Sequence, residues 1–228
     1  MKAVVYYSNT GQSRAIAEYF SERLGFPLTD IEKAEESNYS DLVLVFPVYC
    51  QNIPDVVKAF LERVSVDRLT PIATYGKMCH GNVLREIGRK YRKTIVAAAY
   101  LPTKHTYIEN DSIFSDYDKL TPIIEKVKAP SEIKLPVCYK NPFADLLPRL
   151  RSVVGVKLVK GDGCDGCGVC SRLCSFGAID RGLTDSTKCI RCLRCVESCP
   201  KRALSAKPTL PLKIYLSKKK SDKTVIYV

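Results

Sequence analysis

Eight of the eleven cysteines stand in two runs of one spacing, Cys164, Cys167, Cys170, Cys174 and Cys189, Cys192, Cys195, Cys199, each member of the second 25 residues after its counterpart. Three thiols separated by two residues each can reach three iron atoms of one cubane, because a CxxCxxC backbone coils around the cluster and turns its amides toward the sulfurs. The spacing is that of two [4Fe-4S] clusters, and the chemistry it points to is electron transfer. Two other uses of cysteine fit less well. A closed zinc site wants two CxxC knuckles with a longer stretch between them, and has no use for a third cysteine at the next two-residue step of both runs. Disulfides need an oxidising compartment; no basic-then-apolar leader opens the chain, so reduced thiols and a cytoplasmic location are expected. Cys50, Cys79 and Cys138 have no partner pattern and read as structural thiols.

The offset extends past the thiols, since Ala178 and Ile179 correspond to Ala203 and Leu204. This internal repeat implies two half-modules packed about a pseudo-twofold axis. Residues 161–206 resemble the bacterial-type ferredoxin module, in which the fourth cysteine of each run serves the other cluster. The resemblance implies one site of Cys164, Cys167, Cys170 and Cys199, and a second of Cys189, Cys192, Cys195 and Cys174. One departure is that Pro200 follows the last cysteine of the second run, where Ser175 stands in the first. Such a short stretch holds little apolar material, so its folding is expected to rest on metal ligation.

The first 135 residues have a different grammar. Residues 2–8 (KAVVYYS) are an apolar, β-rich run ending in the small polar stretch SNTGQS, and a helix follows with Ala15, Ile16, Tyr19, Phe20 and Leu24 on one face. A phosphate at that helix N-terminus would meet backbone amides, the positive end of the dipole and the hydroxyls of Ser8, Thr10 and Ser13, with Gly11 allowing close approach. Neither GxGxxG nor GxxxxGK[ST] is present, and no nicotinamide motif is visible. Further strands are expected at residues 28–31, 41–48, 72–75 and 94–101, with helices at 55–64 and 81–92 between them. Near-continuous apolar strands alternating with helices predict a parallel sheet covered on both faces, a doubly wound α/β domain whose ligands sit at the carboxyl ends of the strands. A last helix is expected over residues 117–127, after a polar loop that reads as a lid or a long connection.

SNTGQS after the first strand, FPVYCQNIPDVVKAFLERV after the third and TYGKMCHGNVLREI after the fourth resemble the phosphate loop and two isoalloxazine loops of the flavodoxin family. Joined to a two-cluster ferredoxin module, the chain is similar to the EFR1-family ferrodoxins, or eferdoxins, over about residues 1–208. The resemblance implies a flavodoxin-like doubly wound parallel five-stranded sheet followed by a small α+β two-cluster ferredoxin domain. It implies FMN with its phosphate held by Ser8, Asn9, Thr10, Gly11, Gln12 and Ser13. For the ring and ribityl chain it implies Pro47, Val48, Tyr49, Cys50, Gln51 and Asn52, with Thr74, Tyr75, Gly76, Gly81 and Asn82. Tyr49 is the candidate to stack on the ring, a core or surface tyrosine being the alternative. Lys77, Met78, Cys79 and His80 stand where small residues are common; Lys77 near the flavin N1 edge would favour an anionic reduced form, but the expectation is that it faces solvent.

The expected division is a flavodoxin-like domain over residues 1–135, a linker over 136–158 that packs on it, the ferredoxin domain over 159–208 and a tail over 209–228. The tail segments LPLKIYL and TVIYV alternate enough to predict a terminal strand or hairpin. Formal charge is +12, of which residues 1–136 contribute 18 − 17 = +1 and residues 137–228 contribute 18 − 7 = +11. Clusters and a flavin phosphate would offset much of this excess, and Lys218, Lys219 and Lys220 read as a solvated face rather than a nucleic-acid footprint. A basic rim can steer an acidic redox partner protein. No run is long and apolar enough to span a bilayer. The leading expectation is a relay between FMN, the two clusters and a redox partner; the alternative is a flavin-dependent reductase of a quinone, nitro compound or oxygen, fed by the clusters. Donor, acceptor and oligomeric state are not legible.

Overall fold

A computed structural model describes residues 1–35, 38–108, 111–145, 153–218 and 221–228. The linker residues 146–152, Glu109 and Asn110 of the polar loop, and Lys219 and Lys220 of the lysine run lie outside them. Two compact units emerge: Met1–His105, Asn110–Ala144 and Lys220–Val228 form the first, Thr106–Glu109 and Asp145–Lys219 the second.

In the first unit, strands Lys2–Tyr6 (β1), Leu28–Asp30 (β2), Asn38–Pro47 (β3), Ser65–Tyr75 (β4) and Ala98–Pro102 (β5) pair in parallel in the order β2-β1-β3-β4-β5. Helices Gln12–Leu24 (α1), Asp55–Arg63 (α2), Val83–Tyr91 (α3) and Thr121–Lys128 (α4) cover both faces. Successive side chains of a strand point to opposite faces, so strands buried twice must be apolar at every position. Val5, Leu44, Phe46 and Tyr100 accordingly pack on Phe60 and Leu61 of α2 and Leu84 and Ile87 of α3. Their neighbours Val4, Val43, Val45 and Leu101 pack on Ile16 and Phe20 of α1 and Ile123 and Ile124 of α4. Each such side chain, fully buried, stabilises the fold by roughly 1.5–3 kcal/mol. The strand order is the flavodoxin-like one, and its direction reverses beside β1, which opens a crevice beyond the carboxyl ends of β1 and β3.

The second unit is smaller and built from short pieces: Val156–Lys160 (β6), Val169–Leu173 (α5), Ile179–Asp180 (β7), Leu183–Thr184 (β8), Arg194–Glu197 (α6), Leu204–Pro208 (β9) and Leu210–Leu216 (α7). β6 pairs antiparallel with β9, and β7 with β8. Its core cluster consists of Cys170, Ile179 and Leu204, packed against Cys174, Cys195, Val196 and Cys199, so four of these seven residues are cysteines.

The tail is divided. Val225–Tyr227 (β10) is a strand, pairing antiparallel with β5 as a sixth, edge member of the first sheet. LPLKIYL, by contrast, is the helix α7 and not a strand. Pro211 has no amide to offer a ladder but is tolerated in a first helical turn, and that is where it sits. The segment before residue 146 packs on the first unit: Ile133, Leu135 and Cys138 lie against its core, and Lys140 pairs with Glu86 at 2.9 Å.

At the amino ends of the strands Lys2, Asp41 and Arg68 lie in one register across β1, β3 and β4. Arg68 donates to both carboxylate oxygens of Asp41, at 2.6 and 2.9 Å, and Lys2 stands 3.5 Å away. The Arg68 hydrogen bonds outweigh burial and hold the Asp41 carboxyl below its ordinary range. A carboxyl depressed in the folded state stabilises it above the unfolded pKa, and that stability is lost as pH falls through the folded value. Asp41→Asn is therefore expected to cost about 1–3 kcal/mol at neutral pH. In urea titrations the gap from the parent should narrow below about pH 4; a gap independent of pH would assign the effect to packing alone.

Candidate functional site

In the second unit, Cys164, Cys167, Cys170 and Cys199 line one pocket together with Arg181, Pro200, Lys201 and Leu204. The fourth thiol thus comes from the other run. A chain that brings three cysteines two residues apart around one pocket must reverse sharply, which calls for left-handed backbone. Gly166, Gly168 and Gly177 have φ of 74°, 74° and 55°. Their counterparts 25 positions on, Arg191, Leu193 and Arg202, repeat the conformation at 56°, 63° and 48° without the freedom of glycine.

Amides follow the same repeat. Ala178 N donates to Cys174 Sγ at 3.3 Å and Ala203 N to Cys199 Sγ at 3.4 Å, while Arg191 N donates to Cys189 Sγ at 3.4 Å. Burial pushes the Cys195 thiol up to about 12, with Cys192, Cys189, Cys174 and Cys170 close enough to add to the effect. Burial raises Cys192 too, against the opposing Arg194 amide, with Cys189 and Cys174 again contributing. Cys174 packs against the same core cluster as Cys195 and Cys199 of the second run. Among the described residues no group of three or more His, Cys, Asp or Glu side chains is gathered for a single metal ion. Thiols spread around a pocket, amides aimed at sulfur and the cations Arg181 and Lys201 are a donor set that fits an anionic iron-sulfur cluster.

In the first unit three loops meet beyond the carboxyl ends of the strands. The loop after β1 enters α1 through Gly11, at φ 83°; no side chain caps this helix, its first turn holds no acid, and a Cβ on Gly11 would meet nothing within 4 Å. Ser13 is buried and shares a 2.9 Å hydrogen bond with Thr74. Asn9 donates to the hydroxyls of Tyr7 and Tyr49 and so ties this loop to the one after β3.

That second loop follows Pro47 and Val48, whose amide donates to Thr74 O at 2.8 Å. It turns between Tyr49 and Asn52, which exchange backbone hydrogen bonds of 3.1 and 2.9 Å. Cys50 and Gln51 occupy the centre with φ of 49° and 66°, as in a type I′ turn but without its usual Asn-Gly. Such strain persists where the surroundings impose it. Asn141 N donates to Gln51 Oε1 at 2.8 Å, and Asn52 Nδ2 to Ala144 O at 2.9 Å.

The third loop, after β4, needs its glycines for space. A Cβ on Gly81 would lie 2.7 Å from Gln51 O, and one on Gly76 would lie 2.6 Å from the His105 ring. His80 stacks on Tyr100 at 3.7 Å, and burial lowers its pKa, which keeps the ring neutral at pH 7. Asn82 Oδ1 accepts from Cys138 N at 3.0 Å. Hydroxyls, an uncapped helix end and open space beside Gly11, free of acid, fit a phosphate group.

Lys77 departs from expectation. It is 4 % exposed, and its ammonium meets Asp111 and Ser112 O, each at 3.0 Å, the Ser112 hydroxyl, and Asp222 at 3.3 Å. Burial alone would lower its pKa; the hydrogen bonds and charges of Asp111 and Asp222 prevail and raise it, so it is a fixed cation. Arg191 was also not singled out by spacing. It is buried, donates from Nη1 to Ser186 O at 2.9 Å, and its Nε has no hydrogen-bond partner among the described residues. The available signal was an arginine at the counterpart of Gly166.

Residues 183–205, which include Cys189, Cys192, Cys195 and Cys199, match the 4Fe-4S binding domain family (Fer4). No curated protein matches the chain. Among solved structures a flavodoxin from the domain Archaea is similar at 16% identity and a TM-score of 0.37, covering 56% of this chain and 99% of its own. The chain thus holds both a segment that matches a 4Fe-4S binding domain and an α/β unit of flavodoxin-like strand order. Among the described residues no helix is long and apolar enough to cross a membrane.

If the thiols pair across the runs, Cys199→Ala should spare the cluster of the second run and remove that of the first, lowering iron from about eight to about four atoms per chain. Anaerobic iron assay and electron paramagnetic resonance after reduction check this; loss of the second-run signal instead would refute the crossed pairing.

Proposed function

We propose that the chain relays electrons between FMN, held at the three loops of the first unit, and two [4Fe-4S] clusters held by the eight cysteines, and onward to a redox partner protein, in the manner of the EFR1-family ferrodoxins. The observation that carries this reading is the pocket in which Cys199 joins Cys164, Cys167 and Cys170. When bound, a flavin would take up two electrons and could release them one at a time, whereas a cubane passes one, so one chain holding both can match carriers of different stoichiometry.

The chain's own residues supply binding and electrostatics. The amides of Ala178 and Ala203 donate to thiolate sulfur, and Arg181 and Lys201 offset negative charge at the first pocket, both of which favour an added electron. Loop 8–13 supplies hydroxyls and helix amides for a phosphate, and the turn at residues 49–52, pinned by Asn141 and Ala144, holds Tyr49 in place before any ring arrives. The excess of basic residues after residue 136 suits an acidic partner.

Stopped-flow reduction of the anaerobically reconstituted protein tests the relay. Flavin and clusters should equilibrate in a phase whose rate does not change with protein concentration. A rate proportional to concentration would mean transfer between molecules, and a preparation without iron or flavin would remove the premise.

A further inference from the structure

The segment that follows the cysteine-rich unit returns to the first unit and fastens the loop after β4 at both ends. At its near end Ser221 N donates to Lys77 O at 2.6 Å, the Tyr75 hydroxyl reaches Ser221 O at 3.1 Å and Lys223 O at 2.7 Å, and Asp222 pairs with the buried Lys77 ammonium. Between these contacts and its end the segment pairs with β5 as β10, Val225 opposite Tyr100 and Tyr227 opposite Ala98. At its far end the Tyr227 hydroxyl lies 3.6 Å from Cys138 Sγ, and the Cys138 amide holds the Asn82 side chain. Lys77 ties in a third strand of chain through Asp111 and Ser112.

We propose that residues 221–227 are a positioning strap for loop 76–82, so that a flavin held by this loop binds only as tightly as the strap is docked. The claim rests on the reading of that loop as a flavin loop, and it goes further in placing part of the flavin site's support beyond the cysteine-rich unit in the chain. Loop 76–82 has little regular structure of its own: Lys77 is left-handed at φ 57° and Gly81 at φ 69°. Its shape is imposed by what it touches. Residues 221–223 supply partners to its backbone and to its one buried cation, and residue 227 reaches it through Cys138. Tyr75, Lys77 and Asp222 are positioning residues in this scheme.

Amide hydrogen exchange on the flavin-free protein reads the strap directly, using a chain ending at residue 220 and a full-length Tyr75→Phe, Lys77→Met double variant. The double variant keeps β10 and serves should the shortened chain fail to fold. Exchange in residues 76–82 should accelerate about tenfold, the equivalent of one or two net hydrogen bonds, while exchange in α1 and β3 stays unchanged. Fluorescence-quenching titration with FMN should show binding weakened by about tenfold, with an altered visible spectrum of the bound flavin. A Lys77→Arg variant, which keeps the cation, should recover part of both effects. Unchanged exchange in 76–82 would overturn the proposal, as would acceleration spread evenly over the sheet, which marks general destabilisation. If the intact protein fails to quench FMN, the flavin reading falls, while the exchange measurement still decides whether the strap positions the loop.

Discussion

Cysteines two residues apart can face one pocket only if the backbone between them turns left-handed, and the second unit is organised around that requirement. Left-handed residues cost L-amino acids roughly 1–2 kcal/mol each. The first run meets the need with Gly166 and Gly168 and turns left-handed again at Gly177, after Cys174; the second imposes it on Arg191 and Leu193, and on Arg202 after Cys199. With Ile179 and Leu204 as the buried apolar members of the cluster that packs against the cysteines, hydrophobic burial there is a thin source of compensation. Ligation of an iron-sulfur cluster, in keeping with the 4Fe-4S family match over residues 183–205, would be a counterweight, since metal binding free energy becomes folding free energy when no site preexists in the unfolded chain.

The first unit solves the opposite problem. Its sheet has ample apolar surface, and the polar work is pushed to its two ends. The amino ends carry the Lys2, Asp41 and Arg68 register, which is structural. The carboxyl ends carry the loops, and there the strained and close-packed features collect: Cys50 and Gln51 in left-handed conformation, Gly76 and Gly81 with no room for a side chain. Rigid strands deliver those loops to one place, and contacts between loops then determine their shape.

Periodicity made the five parallel strands legible, because a strand buried on both faces leaves an unbroken apolar run such as that around Leu42–Phe46. The cysteine repeat was legible for a similar reason, a local spacing tied directly to a local geometry. What escaped was set by distant partners. Lys77 was expected in solvent; Asp111 and Asp222, which bury it, lie 34 and 145 positions away in the chain. The alternation in LPLKIYL mimicked a strand, but Pro211 removed the amide that a ladder needs, and the helix won. TVIYV reads as a strand in either view, yet its partner β5 is more than a hundred residues earlier.

Because β10 is encoded after the cysteine-rich unit, a ribosome finishes β5 long before it makes the strand that covers it. During that interval the nascent first unit presents an uncapped sheet edge, the surface on which foreign strands add. Translation through the iron-binding segment therefore sets a clock on how long that edge stays open. Pauses at its cysteine codons would lengthen the exposure of a part of the molecule that contains none of those eight cysteines.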